Sequence, residues 1–216
     1  MKNFILVAVA SLILFPLSAL SQGTVLYVKN QVQIDNKSIA KGDKVQAGQT
    51  ITTGQGSMAV LLFDNSSTVK VNENSIITLK AFDKKKRSTR FSLMKGSGFF
   101  KLDPKAKGKL SVQARTVAMG VRGTLFFVSY GKEKKEDVYM CVQEGKVAIR
   151  GKSQRKPVLV NAGQGVVVAG GLKSSKPSFL PWTKNLNWEL DPKKKDLENK
   201  ISIEEGYASP LDRDYD

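Results

Sequence analysis

Several nucleophilic residues are present in this sequence, but none has the neighbours that would activate it. The spacing Ser-x-x-Lys occurs twice, at Ser38 and Lys41 and at Ser92 and Lys95. Both copies lie in strand-like alternation, where residues three apart point to opposite faces, so the serine and lysine cannot meet. Cys141 lies in an apolar run with no adjoining cation, which favours a buried and unreactive thiol.

Composition removes the commonest catalytic and metal-binding groups. The chain of 216 residues has no histidine and one cysteine, so it lacks the usual general base and cannot form an intramolecular disulfide. The acidic residues in its core-like regions, Asp64, Glu73 and Glu144, show no pairing suited to glycoside hydrolysis. We therefore expect no catalytic residue, no metal site and no cofactor.

Arg122 and Glu144 are the charged residues most closely surrounded by turn and strand signals. Arg122 lies between Gly120 and Gly123, just before Thr124 and an apolar run, and Glu144 directly precedes a glycine. Glycines permit sharp bends, so we expect both charges near the domain interior. A bidentate arginine–carboxylate pair there would organise the loops. The alternative for Arg122 is an exposed ligand contact.

Two basic stretches stand out in a chain of net charge +16. The first contains Lys84, Lys85, Lys86, Arg87 and Arg90, and the second begins at Lys101 and continues to residue 109. They flank residues 90–102, which we interpret as a hairpin turning at Gly-Ser-Gly. They can therefore merge into an anion-binding patch, and the alternative is a solvated loop that keeps the protein soluble.

The hydrophobic pattern predicts an all-β fold. Residues 24–169 consist of short apolar and β-branched segments separated by glycine turns, which indicates a β-solenoid-like roll or a sandwich. Some segments alternate, as at 110–114, and should be half-buried strands. Continuous apolar runs should be covered on both faces, and these are residues 59–63, 125–128, 138–142 and 166–169.

The two ends of the chain differ from this central region. Residues 1–21 contain a basic start, an apolar run and Ala19-Leu20-Ser21, a pattern typical of a cleaved signal peptide. We assign residues 22–171 to the β domain and residues 172–216 to a mostly irregular tail rich in proline and lysine. Trp182 and Trp188 in this tail need an apolar surface, so the tail either straps back over the domain or docks on another protein.

Several blocks together resemble the FecR-domain family. They are Gly48-Gln49-Thr50-Ile51-Thr52-Thr53-Gly54, Val71-Asn72-Glu73-Asn74-Ser75, Met119 to Val128, Val142 to Val147 and Asn161 to Val166. The resemblance implies a non-enzymatic, all-β domain at the periplasm or cell surface. The regulators that name the family are anti-sigma factors that join this domain to a cytoplasmic segment through a transmembrane helix, and their periplasmic part senses an outer-membrane iron transporter. This chain departs from that plan, because its apolar run has the features of a cleavable signal.

These observations predict an exported, periplasmic binding module, with a secreted or cell-surface location left open. Its partner would be an envelope protein or an anionic glycan or lipid headgroup, because the chain is strongly basic. Nucleic acid is not expected, since no RNA-binding or helix-turn-helix pattern accompanies the charge. After signal cleavage the protein should not be transmembrane. The alternative function is a detached regulator of a sigma-factor and iron-transport system.

Overall fold

A computed structural model describes residues 22–130, 137–194 and 196–199. This part of the chain contains seventeen strands and one short 3-10 helix, Pro181–Asn185. The strands are β1 Gly23–Lys29, β2 Val32–Ile34, β3 Lys37–Ser38, β4 Lys44–Val45, β5 Thr50–Thr53, β6 Met58–Phe63, β7 Ser67–Val71, β8 Ile76–Asp83, β9 Ser88–Leu102, β10 Lys109–Ala114, β11 Val117–Val121, β12 Thr124–Tyr130, β13 Val138–Glu144, β14 Lys146–Arg150, β15 Val158–Asn161, β16 Gly165–Ala169 and β17 Lys173–Ser174. The predicted all-β fold is confirmed. The predicted signal peptide lies outside the described residues.

The strands form two sheets that share β9. The first sheet has the order β4-β1-β6-β7-β9-β12-β13-β16-β17. The second has the order β3-β2-β5-β8-β9-β10-β11-β14-β15. The chain passes repeatedly from one sheet to the other, so the architecture is a wound β structure with sandwich-like layers.

Strand β9 corrects the prediction of a hairpin over residues 90–102. Its first half pairs with β8 and β10 in the second sheet, and its second half pairs with β7 and β12 in the first. The chain bends between the halves at Gly96, where φ is +83° and an added Cβ would lie 2.6 Å from the Cα of Ser75. The Gly-Ser-Gly signal is therefore a crossing point between sheets, because strand pairing continues on both sides of it.

The main core lies between the two sheets. Inward-facing residues of the first sheet, such as Phe100 and Phe126, pack in one cluster with residues of the second, such as Phe91 and Ile149. Phe91 links the layers, since its ring centroid lies 5.0 Å from that of Phe63 and 5.8 Å from that of Phe100. Pairs of aromatic rings at these separations add to the stabilisation from buried apolar area.

The two sheets differ on their outer faces, as the sequence pattern predicted. The continuous apolar runs are all in the first sheet, as parts of β6, β12, β13 and β16, and most of their residues are buried. The alternating segment 110–114 belongs to the second sheet and leaves one face open to solvent. The first sheet is therefore covered on both sides and the second on one.

The cover on the first sheet is the C-terminal strap, residues 178–194 and 196–199. Its apolar side chains Leu180, Trp182, Leu186 and Leu190 pack against Phe99 and other outward-facing residues of the sheet. Trp188 meets the ring of Phe99 edge-on at 5.3 Å. The strap contains little regular structure, and no helix in the described part of the chain is long and apolar enough to cross a membrane.

Lys70 fastens the strap to the sheet. Its side chain points outward from β7 but is fully buried, and its Nζ lies 4.2 Å from the centroid of the Phe99 ring. The ammonium donates hydrogen bonds to the strap carbonyls of Asn187, Glu189 and Leu197 at 2.6, 2.8 and 3.1 Å. Three acceptors match the three protons of a lysine ammonium, so the buried charge is fully hydrogen-bonded.

Replacing Lys70 by methionine should release the strap from the sheet. The variant keeps an apolar stem but leaves three buried carbonyls without a donor, at about 1–3 kcal/mol each unless they reach water. Both tryptophans of the chain lie in the strap, so tryptophan emission reports this region alone. We expect a red shift and stronger quenching by iodide for Lys70→Met. The exposed control Lys80→Met should behave like wild type, and unchanged emission in both would show that apolar packing alone holds the strap.

Lys70 should also make stability depend on pH in the alkaline range. Burial lowers the pKa of Lys70 from 10.5 to about 8. The cost of burying its charge is present in full below pH 8 and is relieved as the pH rises towards 10.5, since the unfolded chain then binds the extra proton. The free energy of unfolding should rise by up to about 1.4 kcal/mol per pH unit in this window. Urea unfolding of wild type and Lys70→Met at several pH values tests this, and parallel profiles would contradict it.

Candidate anion-binding groove

The open outer face of the second sheet carries a basic groove of about 640 Å³. The cations that line it are Lys86, Arg90, Lys109, Arg122 and Lys146, and no carboxylate is among its lining residues. Arg90, Lys109, Arg122 and Lys146 face outward because each neighbours a buried residue and side chains alternate along a strand, whereas Lys86 lies in the exposed turn between β8 and β9. The groove thus combines residues from both predicted candidate sets, the basic stretch and the Arg122 motif.

Three neighbouring strands build the groove with the same local pattern of cation, buried residue and small residue. On β10 the cation and small residue are Lys109 and Ser111, and at the end of β11 they are Arg122 and Gly120. On β14 they are Lys146 and Ala148. Ser111 pairs with Gly120, which in turn pairs with Ala148. The small residues therefore form one row, the floor row, and the three cations form the adjacent row.

The groove cations have few internal partners. Lys86 lies 3.9 Å from Asp83, its partner within the same turn. No salt bridge joins Arg90, Lys109, Arg122 or Lys146 to a carboxylate within residues 22–130, 137–194 and 196–199. Neighbouring strands are roughly 4.8 Å apart, so the row of three cations concentrates positive charge along a line across the sheet. Such a surface attracts anions.

Two chain crossings between the sheets hold Arg122 and Lys146 in place. Arg122 precedes Gly123 at the crossing into β12, and Lys146 follows Gly145 at the crossing back into β14. The crossings touch, because a Cβ on Gly145 would lie 2.4 Å from the carbonyl oxygen of Gly123. The buried Thr124 hydroxyl donates to the carbonyl of Lys146 at 3.0 Å. Gly123, Thr124 and Gly145 thus position two cations of the groove.

The structure corrects the expectation that Arg122 and Glu144 lie in the domain interior. Both side chains are exposed. Arg122 is in the groove on the second sheet, whereas Glu144 ends β13 and lines a different cleft on the first sheet. The flanking glycines bend the chain at the rim of the sheets, where a charged side chain reaches water without cost. Neither side chain pairs with the other.

The remaining predicted basic residues divide between the two faces. Lys84, Lys85, Lys86 and Arg87 form the exposed turn between β8 and β9. The second basic stretch meets this turn, since the amide of Lys109 donates to the carbonyl of Arg87 at 2.9 Å. Lys101 does not join them, because the crossing of β9 carries it to the first sheet. There it lines the cleft beside the strap, together with Lys194 and the carboxylates of Asp103, Glu144, Glu189 and Asp191.

Lys146, Ser111 and Ala148 were not identified from sequence, whereas Gly120 belonged to the predicted Arg122 motif. Lys146 stands alone in the sequence, away from both basic stretches. Its place beside Arg122 depends on the pairing of β11 with β14, which are separated in the chain by β12 and β13. The outward position of Lys146 could have been found from its alternation with the apolar residues at 147 and 149. The neighbours of Lys146 across the sheet could not have been found in this way, because alternation along one strand does not show which strands pair.

A cysteine nucleophile and a metal site both have little support within the part of the chain that the structure describes. Cys141 is buried, and burial raises the pKa of its thiol well above the usual value. A thiol of this kind is a poor nucleophile because the thiolate is the reactive form. No group of three or more acidic, cysteine or histidine residues in the described ranges could hold a metal ion.

The fold and the groove define an all-β domain of two facing sheets with one basic, solvent-facing surface. Residues 49–148 match the family model described as FecR protein. The resemblance to a FecR domain that the motif blocks indicated is thus confirmed over residues 49–148, a little under half of the chain. The matched segment runs from the end of the turn after β4 into β14, so it includes most of the groove but not the strap. A comparison with curated proteins found no match.

Solved structures support the fold assignment. Two crystal structures of a proposed anti-sigma factor from Parabacteroides distasonis ATCC 8503 are similar to this chain, with TM-scores of 0.53 and 0.51. Their sequence identities are 15% and 16%, and at this level the likeness shows the fold alone. The match covers 63% of this chain and 62% or 63% of the solved chains, so this chain spans less than two thirds of their length.

Gly145 at a crossing and Gly120 within β11 should differ sharply in their tolerance of substitution. Gly145 has φ of +78° and no room for a Cβ, whereas a Cβ on Gly120 would meet nothing within 4 Å. Gly145→Ala should cost at least about 2 kcal/mol, which lowers the melting temperature of a chain this long by about 4–8 °C. Gly120→Ala is the matched control and should melt at or slightly above the wild-type temperature. Equal melting temperatures would show that the crossings do not depend on close contact.

Proposed function

We propose that this protein is a non-enzymatic FecR-domain module of the cell envelope that binds an anionic partner through the basic groove. The observation that carries the proposal is the convergence of Arg90, Lys109, Arg122 and Lys146 on one face without a carboxylate partner among the described residues. Like charges repel one another, so holding them together costs free energy that a bound anion would recover. The partner is an acidic protein surface or an anionic glycan.

Location and composition support the same proposal. The first 21 residues have the pattern of an export signal, and the family resemblance implies the periplasm or cell surface. In that compartment the abundant anions are acidic glycans, lipid headgroups and protein surfaces. The absence of histidine from the sequence and the buried state of Cys141 favour binding over catalysis.

A triple substitution in the groove tests the proposal. The groove variant Lys109→Ala, Arg122→Ala and Lys146→Ala removes three exposed cations and should melt close to wild type, because surface substitutions usually change stability by less than about 0.5 kcal/mol each. It should bind the envelope fraction of its host about tenfold more weakly in sedimentation, the equivalent of about 1.4 kcal/mol. Binding by the wild type should also weaken as salt is added.

The control variant removes the same charge elsewhere. Lys37, Lys41 and Lys176 are exposed lysines outside the groove, and their replacement by alanine leaves the groove intact. The control should retain wild-type binding. Equal losses in both triple variants would mean that net charge alone drives adsorption, and full binding by the groove variant would refute the assignment of the groove.

Regulation of a sigma-factor system is the second candidate function. It is supported by the match to the FecR family and by the fold shared with a proposed anti-sigma factor. In this case the partner is a protein of a signalling system, and deletion of the gene should change transcripts of a neighbouring sigma factor or iron transporter under iron limitation. An unchanged transcript profile would leave the binding module as the better account.

A further inference from the structure

We infer that the basic groove holds a linear polyanion laid across the strands, of the kind formed by an acidic glycan chain, with Gly120 as the floor beneath it. The inference rests on the proposed function of the groove as an anion-binding site, and adds the shape of the ligand and the residue that admits it.

The direction of the ligand follows from the two rows of side chains. The cations Lys109, Arg122 and Lys146 stand on successive strands, so their line runs across the sheet and not along any one strand. The floor row continues in the same direction through Ser111, Gly120 and Ala148. At its ends are Arg90 on β9 and Leu159 on β15. A ligand that meets all these groups must be elongated across the strands.

The floor row makes room for the ligand. Gly120 is exposed and at the middle of the row, and an added Cβ there would meet nothing within 4 Å. The neighbours of Gly120 in the row are a serine and an alanine, so no long side chain rises between the row of cations and the next row of the sheet. The exposed Leu159, at 52% of its full accessibility, offers an apolar surface at the edge of the sheet.

The spacing of the cations favours a glycan over an acidic peptide. Successive cations are separated by one strand interval, roughly 4.8 Å, whereas side chains on one face of an extended peptide recur at roughly 6.8 Å. A sugar ring is close in length to one strand interval, so a glycan with an acidic group on each ring can present anions in step with the cations. The guanidinium of Arg122 can donate two parallel hydrogen bonds to such an acidic group.

The groove also lacks the features that other ligands would need. No aromatic side chain lines it, so it offers no stacking platform for nucleobases. Its floor is a single row of small residues beside the row of cations, so an extended chain fits it better than the convex surface of a folded protein. Recognition in this groove therefore depends on the charges of the ligand and on a slender backbone.

Blocking the floor without changing any charge tests the inference. Gly120→Leu places a side chain in the open space above β11 and keeps every cation, and its matched control, Ala118→Leu, adds similar bulk on the same strand outside the groove lining. With an oligouronate as the probe, we expect affinity to fall at least about tenfold for Gly120→Leu and to stay at the wild-type value for Ala118→Leu. Thermal melts should confirm that both variants are folded.

A ligand series separates the outcomes. A single uronate, a short oligouronate and a long oligouronate should bind with rising affinity until the ligand spans the row of cations, and polyglutamate of equal charge should bind about tenfold more weakly. Equal or tighter binding of polyglutamate would overturn the inference in favour of an acidic peptide. Affinity independent of length, or unaffected by Gly120→Leu, would also overturn it. If envelope binding depends on the groove cations while no oligouronate binds, the inference fails and the proposed function stands.

Discussion

The passage of β9 through both sheets is the constraint on which the rest of this structure depends. Because one continuous strand pairs in the second sheet over its first half and in the first sheet over its second half, it sets the register of both layers at once. Later strands of both sheets lie outward from the two halves of β9. The groove strand β10 pairs directly with β9, and β11 and β14 follow it in the sheet, so the register of β9 with β10 is continued in the rows of the groove.

The two sheets differ in their outer faces because the outer face of the first is apolar and must be covered, whereas that of the second carries charged and small residues. The first sheet is apolar on both sides and needs the strap, and the strap needs an anchor because it contains little regular secondary structure. Lys70 supplies that anchor with three hydrogen bonds, at the cost of a buried charge. Within the described residues the second sheet has no such cover, and its outer face carries charged and small residues. One sheet is thus covered on both faces, whereas the outer face of the other is open to solvent.

Local patterns predicted the strands and the more buried sheet, but not the contacts between distant elements. Continuous apolar runs such as 125–128 correctly indicated strands covered on both faces. The burial of Lys70 could not be predicted, because alternation along β7 carries no information about the strap more than a hundred residues away. The bend at Gly96 was interpreted as a hairpin turn, since a turn and a crossing point both need glycine. The basic groove was anticipated only in part, because the neighbours of Lys146 depend on strand pairing.

The uneven distribution of charge would orient the molecule on a charged surface. Five cations and no carboxylate line the groove, whereas the cleft beside the strap mixes two lysines with four carboxylates. The outer face of the second sheet is therefore more positive at the groove than the first sheet is at the cleft. Near an anionic layer it would turn the second sheet inward and present the strap, with Glu144 and Lys101 beside it, to the opposite side. A molecule so oriented can be held by one face while the other remains open to a second partner.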